Sequence, residues 1–292
     1  MDRLEAMRLL ITAVETGSFS AAARKLDVPL PTLSRKIGEL EKHLNARLLI
    51  RSTRKLSLTE AGAAYVANAR RILDQVSEAE RSASGEYVTP RGGLVITAPI
   101  VFGRLYVLPI VCDFLSEFPE INVRLALSDR FLHLQDDQID MAVRIGELPD
   151  SSLVATRVGT VSRVVCASPG VLAKQGTPKA PDALMDLPCV RFEGTSDNAW
   201  QFSRQTVPVR LRLSVNTAEA AVDAAIAGVG FTQVLSYQAA RAVREGTLKL
   251  VLRKFEPDPL PVNLVHNGQG ALPLKLRRFL DYAAPRLRKA LS

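Results

Sequence analysis

The chain has 292 residues, a length that suits about two domains of ordinary size. Apolar residues make up 47% and charged residues 23%, which excludes a mainly disordered or collagen-like chain. Lys and Arg number 38 against 30 Asp and Glu, and the net charge of +8 favours polyanionic partners, while the 5% of aromatics argues against a base-stacking RNA platform.

The opening Met1-Asp2-Arg3-Leu4-Glu5-Ala6 carries acids where a secretory leader would be basic and then apolar, so no export is expected. The longest charge-free run, Ala224 to Ala240, has 17 residues, several of them polar. It falls short of a membrane span of roughly 20 apolar residues. Cys112, Cys166 and Cys189 are widely spaced and odd in number. They form neither a disulfide framework nor a zinc pattern, and they fit a cytoplasmic chain.

Charge is concentrated early. Between Pro31 and Lys55 stand seven basic side chains and only two acidic ones. The first 90 residues read as helical. Leu4, Met7, Ile11 and Val14 recur at steps of three and four, and Gly17 ends that helix. Ser18 or Ser20 can cap a short second helix with Phe19, Ala22, Ala23 and Leu26 on one face. Asp27-Val28-Pro29 makes a turn, and a third helix follows with Pro31 in its first turn and Leu33, Ile37, Leu40 and Leu44 as its buried stripe. This is the layout of a helix-turn-helix. At about 100° per residue, Pro31, Arg35, Gly38 and Lys42 fall opposite Leu33, with Thr32 and Ser34 flanking them.

Arg47 to Leu58 reads as two short strands around a basic tip, a wing whose Arg51, Arg54 and Lys55 would meet phosphate or the minor groove. Ser57 or Thr59 can cap a long helix in which Tyr65, Ala69, Ile72, Val76, Ala79 and Ala83 make an a/d seam. Pairing through it would hold two helix-turn-helix units at a set separation, as a two-fold DNA site demands. Thr89-Pro90-Arg91-Gly92-Gly93 is the boundary. Beyond it, strands near 94–96, 123–127, 141–145, 164–166, 211–213, 229–234 and 262–266 alternate with helices near 102–118, 218–227 and 237–245. That alternation predicts an α/β domain with mostly parallel sheets, large enough for two lobes and a cleft.

Catalytic signals are weak. His43, His133 and His266 lie far apart, and no HExxH, GxSxG or phosphate-loop motif occurs. Gly228-Val229-Gly230 precedes a strand instead of opening a helix, so it is no dinucleotide loop. Neither a cofactor nor a metal is called for. Two strand-to-helix junctions do suggest a ligand site. One runs from Thr97-Ala98-Pro99 into Ile100–Arg104, and the other from Val215 into Asn216-Thr217. Helix N-termini there could clamp a small anion, with Arg144 as a counter-charge, although ordinary junctions look the same. The rival to a DNA-binding protein is a small-molecule-binding or catalytic α/β protein with a helical dimerisation arm.

The chain resembles the LysR-type transcriptional regulators. The likeness is carried by Phe19-Ser-Ala-Ala-Ala-Arg-Lys-Leu26, Leu33-Ser-Arg-Lys-Ile37, Leu40-Glu41, Leu44, Arg51, Arg54 and Leu58-Thr-Glu-Ala-Gly62. More loosely, it continues through Asp140–Gly146, Cys166–Pro169 and Ala225–Gly230. Pro29 and Leu30 depart from the family's usual Ser-Gln, which shifts expected base contacts to Thr32, Ser34 and Arg35, with Lys36 and the wing cations on phosphate. Asn45 and Leu49 replace the usual Gly and Phe.

The resemblance implies a winged helix-turn-helix over 1–58, a dimerising linker helix over 59–88 and an effector-binding domain over 91–292. The last would be two-lobed and like periplasmic binding proteins, with lobe I at 91–160 and 266–292 and lobe II at 161–265. It implies homodimers assembling into tetramers, promoter DNA as partner and a small effector between the lobes. That site would be lined by Thr97, Ala98, Pro99, Ile100, Phe102, Arg144, Ile145, Gly146, Asn216, Thr217 and Phe231.

Overall fold

In the computed structural model, the Asp2 carboxylate accepts hydrogen bonds from the Leu4 and Glu5 N–H groups (3.0 and 3.2 Å) and starts α1, Arg3–Thr16. Gly17 closes that helix at φ 69°, the left-handed conformation that glycine adopts without strain. Of the two serines that could begin α2 (Phe19–Leu26), Ser18 does so, accepting from Ala21 N–H at 3.1 Å. After the turn, α3 (Leu30–Leu44) begins at Pro29, which supplies no side-chain cap. Leu33, Ile37 and Leu40 bury against Leu9, Leu10, Ala13, Ala22 and Ala23. Leu44, expected in the same stripe, is exposed, because the last turn of α3 overruns the core beneath it.

The wing is β1 (Leu49–Arg51) paired antiparallel with β2 (Leu56–Leu58). Thr59 rather than Ser57 starts the long helix α4 (Glu60–Ser84), accepting from Gly62 N–H at 2.9 Å. Within the expected seam, Ala69 packs with Val66 into the core just described, while Ile72 stays 39% exposed.

The structure describes residues 2–51, 56–84, 89–130, 134, 139–149, 152–193, 199–268 and 272–292. It divides into two units, Met1–Thr89 and Pro90–Ser292.

In the second unit β3 (Gly92–Ala98) leads into α5 (Ile100–Phe102), a π-helical turn (Gly103–Val107) and α6 (Leu108–Glu117). Then come β4 (Ile121–Leu127), β5 (Met141–Ile145), β6 (Leu153–Val161), β7 (Arg163–Ala167) and α7 (Pro169–Gln175). A 3₁₀ turn (Pro181–Met185) precedes β8 (Pro188–Phe192), β9 (Ala199–Gln201), β10 (Thr206–Pro208), β11 (Arg210–Val215) and α8 (Ala218–Ile226). The chain ends with β12 (Phe231–Leu235), α9 (Ser236–Arg244), β13 (Lys249–Val251), β14 (Leu260–Asn267) and α10 (Leu274–Leu291).

Apart from β9 and β10, which pair antiparallel with each other, these strands form two five-stranded sheets, one ordered β4-β3-β5-β14-β6 and the other β11-β8-β12-β7-β13. The expected mostly parallel pairing is corrected: each sheet has two parallel and two antiparallel pairings. The cause is one reversed strand per sheet, β14 in the first and β7 in the second. Each arrives straight from the other lobe, without the long crossover that a parallel neighbour requires.

The chain passes from the first sheet to the second at Ser162. It returns before Leu260, not near 265 as expected, since residues 260–265 already pair with β5 and β6. The helix α10 closes the first lobe with Leu276, Phe279 and Leu287 buried, and Phe279 sits edge-on to Phe114 at 5.0 Å.

Candidate functional site

The exposed side of α3 is polar and thinly covered. Arg35 is exposed, and its guanidinium reaches Glu39 one turn on at 2.6 Å. Thr32 and Ser34 are half-buried beside it. Lys36 faces a different way: its ammonium pairs with Glu5 of α1, so this cation, expected on phosphate, is tied within the unit. Arg51 ends β1 opposite Leu56, and its side chain lies outside the described residues, as do Arg54 and Lys55 entirely.

What seats the wing is a group of contacts that periodicity does not reveal. One carboxylate oxygen of Glu41 accepts from both Leu48 and Leu49 N–H, at 2.8 and 3.1 Å. The Thr59 hydroxyl donates to the Arg47 carbonyl at 2.7 Å. Gly62 passes so close that a Cβ there would lie 1.9 Å from the Leu48 carbonyl oxygen. Glu41, Thr59 and Gly62 all stand in the segments that carry the family likeness, and that likeness was the available signal. The first turn of α3 also exposes Leu30, which the outward-face pattern passed over.

In the second unit the ends of β3, β4 and β5 share one edge of the first sheet. That edge brings together Pro99, Ile100, Arg144, Ile145 and Gly146 of the expected effector residues. Gly146 turns the chain at φ 111°, with its N–H on the Pro261 carbonyl at 2.9 Å. Thr97, Ala98 and Phe102 are instead buried. The Thr97 hydroxyl donates to the Ala126 carbonyl at 2.8 Å, and Phe102 lies in the core. They support the edge from beneath.

On the other lobe, the Thr217 hydroxyl accepts from Ala220 N–H at 3.3 Å and caps α8, with Asn216 just before it. Phe231 does not join them. It opens β12 at the far end from Leu235 and is fully buried near Trp200 and Cys189. Its place among the expected effector residues came from the family likeness alone. Burial also pushes the Cys166 and Cys189 thiols up to about 12, so both are inert packing groups.

The lobes meet through aromatic side chains. Phe102, Tyr106 and Tyr237 cluster with centroids 4.8 to 6.0 Å apart, and burial raises the Tyr237 hydroxyl so that it stays protonated. Ser162 and Ser236 bond each other at the crossing: Ser236 N–H to the Ser162 carbonyl at 2.8 Å, and Ser162 N–H to the Ser236 hydroxyl at 3.3 Å.

Asp129, two residues past β4, was missed, although the same strand-end argument would have found it. Its carboxylate accepts from Ile100 N–H at 3.0 Å, and its other oxygen is buried with no hydrogen-bond partner. Burial pushes this carboxyl above the usual range, the Ile100 N–H holds it back, and the nearby Glu219 pushes it further up. The helix N-terminus expected to hold an anion is therefore already occupied by the chain's own acid. Arg163 stands at the same inter-lobe edge of the second sheet, its guanidinium made less basic by burial.

Among the described residues no group of His, Cys, Asp and Glu is arranged to hold a metal, and no helix is long and apolar enough to cross a membrane.

Two family models match. Residues 4–63 fit the bacterial regulatory helix-turn-helix protein, lysR family, and residues 89–288 fit the LysR substrate binding domain. An HTH-type transcriptional repressor of Pseudomonas aeruginosa is 33% identical over 97% of this chain and 91% of its own length. The HTH-type transcriptional activator AaeR of Escherichia coli is 31% identical over 95% of this chain and 91% of its own. Among solved structures, the LysR-type transcriptional regulator CrgA from Neisseria meningitidis is 30% identical with a TM-score of 0.62, covering 97% of this chain and 98% of that one. Proteins of this kind regulate genes and are not enzymes. With both domain models matched in order and relatives similar over nearly their whole length, the chain belongs to the LysR family of transcriptional regulators.

Proposed function

We propose that this regulator binds specific duplex DNA by inserting α3 into the major groove, and that a small molecule held between the lobes of the second unit modulates the binding. The observation that carries the first half is the outward side of α3. It presents Thr32, Ser34 and Arg35 around the slim Gly38, where an added Cβ would meet nothing within 4 Å. Arg51, Arg54 and Lys55 of the wing supply phosphate or minor-groove contacts. Paired α4 helices place two such units on one site, in a cytoplasmic homodimer that assembles further into a tetramer.

For the second half, Pro99, Ile100 and Arg144–Gly146 on one lobe, with Asn216 and Thr217 on the other, form the effector-binding edges. Asp129 and Glu219 belong to the same cleft. A carboxylate ligand would have to displace or outweigh Asp129 at the start of α5, so the cleft favours effectors with hydrogen-bond donors at that point. Any such ligand acts only through different affinities for two arrangements of the assembly.

Salt dependence tests the DNA reading. Affinity for duplex from the protein's own promoter should fall steeply with salt, by about 0.9 in log K per phosphate contact. Arg51→Ala with Arg54→Ala should weaken binding to all sequences and flatten that slope by about two. An unchanged slope would remove the wing from the interface. For the cleft, a thermal-shift screen of small amines and carboxylates is run on the full chain and on Thr217→Ala. A stabilising ligand that is indifferent to Thr217→Ala counts against that edge.

A further inference from the structure

We infer that Leu30 reads the 5-methyl group of a thymine, giving this regulator an apolar base contact at the very start of its recognition helix. The inference rests on the proposed entry of α3 into the major groove and goes beyond it by naming a residue and a base.

Leu30 is the first residue of α3, and recognition helices reach base edges from their N-terminal residues. It is 42% exposed, whereas Leu33, Ile37 and Leu40 are fully buried, so it is not needed to fill the core. Pro29 before it offers no side-chain cap, and Pro31 after it has no N–H. The leading edge of the helix therefore presents carbon where hydrogen-bonding groups would usually stand. Beside it lies an open concavity of about 650 Å³, walled by Ala23, Arg24, Val28, Pro29 and Leu30 among others. Ser34 follows one turn on, on the same side of the helix as Leu30.

Thymine is the only base whose major-groove edge carries a methyl group, and side-chain carbon is its natural partner. Such a contact discriminates without a hydrogen bond. Burying one methyl corresponds to about fourfold in affinity.

The test uses a duplex enriched from a random library by the full-length protein. It is resynthesised with each dT replaced in turn by dU, which removes the methyl group and nothing else. At one thymine in each half-site, dU should weaken binding by about fourfold. Leu30→Ala should weaken binding to the unmodified duplex by a similar factor and lose the further sensitivity to dU there. Leu30→Met, which keeps apolar reach, should retain it. A scan with no sensitive thymine, or a dU effect undiminished in Leu30→Ala, overturns the assignment while leaving DNA binding itself intact. If no duplex is enriched at all, groove entry by α3 fails and the inference falls with it.

Discussion

Glu41 is an acid in a basic stretch, yet it has a definite task. Its carboxylate satisfies two backbone N–H groups of buried residues, Leu48 and Leu49, at the base of the wing. Hydrogen bonds to an ionised acceptor are worth about 1.5–3 kcal/mol, and leaving both donors unmet adds to the loss. Glu41→Ala should therefore destabilise the first unit by about 3 kcal/mol in urea denaturation. Glu41→Gln keeps a neutral acceptor and should cost roughly half as much. Equal midpoints for wild type and Glu41→Ala would show that the wing is held by other contacts.

Asp129 gives a prediction in pH. Its folded carboxyl lies above its unfolded value, so the folded state holds the proton more tightly. Its contribution is most favourable below the unfolded value of about 3.9 and is lost as pH climbs through the raised folded value. Asp129→Asn retains an acceptor for the Ile100 N–H but cannot ionise. It should melt above the wild type at pH 7, and the difference should close as pH falls below the unfolded value. A variant that melts lower at pH 7 would mean that the helix start needs the charge.

At the scale of elements, two glycines on helices make opposite predictions. Gly62 of α4 faces the Leu48 backbone, which cannot retreat as a flexible side chain could. Gly62→Ala should cost about 1–3 kcal/mol despite alanine's better helix propensity. Gly38 of α3 has open space before it, so Gly38→Ala should stabilise the fold by about 1 kcal/mol. The same methyl on the groove-facing side should weaken DNA binding, a separation that calorimetry and a binding titration can read together.

The helices, the turn and the wing strands were legible because their apolar spacing and capping residues are local. The pairing of Lys36 with Glu5 was not legible, because neither spacing nor local charge reveals an acid on another helix. Strand positions in the second unit were also readable. Their directions were not, since a strand's sequence pattern is the same whichever way its neighbour runs. Phe231, expected only from the family likeness, stands at the start of β12 and packs in the core, a burial that the likeness alone does not reveal.

For the molecule as a whole, the discontinuous first lobe governs behaviour. Residues from β3 to β6 build four of its strands, but β14 and α10 come from the end of the chain. Removing residues 274–292 would strip Leu276, Phe279 and Leu287 from the core. Losing several buried side chains at about 2–5 kcal/mol each exceeds the usual stability of a domain. The truncated chain should keep a cooperative first unit but lose the dispersed amide resonances of the second lobe pair. Retention of those resonances would show that α10 is dispensable.

During synthesis this ordering sets a timetable. The strand β14 occupies the space between β5 and β6, and nothing translated earlier fills it. At about 5–20 residues per second, a ribosome that has finished residue 161 needs roughly 5–20 s to deliver the missing strand. Meanwhile every strand of the second lobe has left the exit tunnel or is leaving it. The nascent regulator can thus assemble its first unit, then its second lobe, and only near termination seal the first lobe, with the facing edges of β5 and β6 unpaired in the interval.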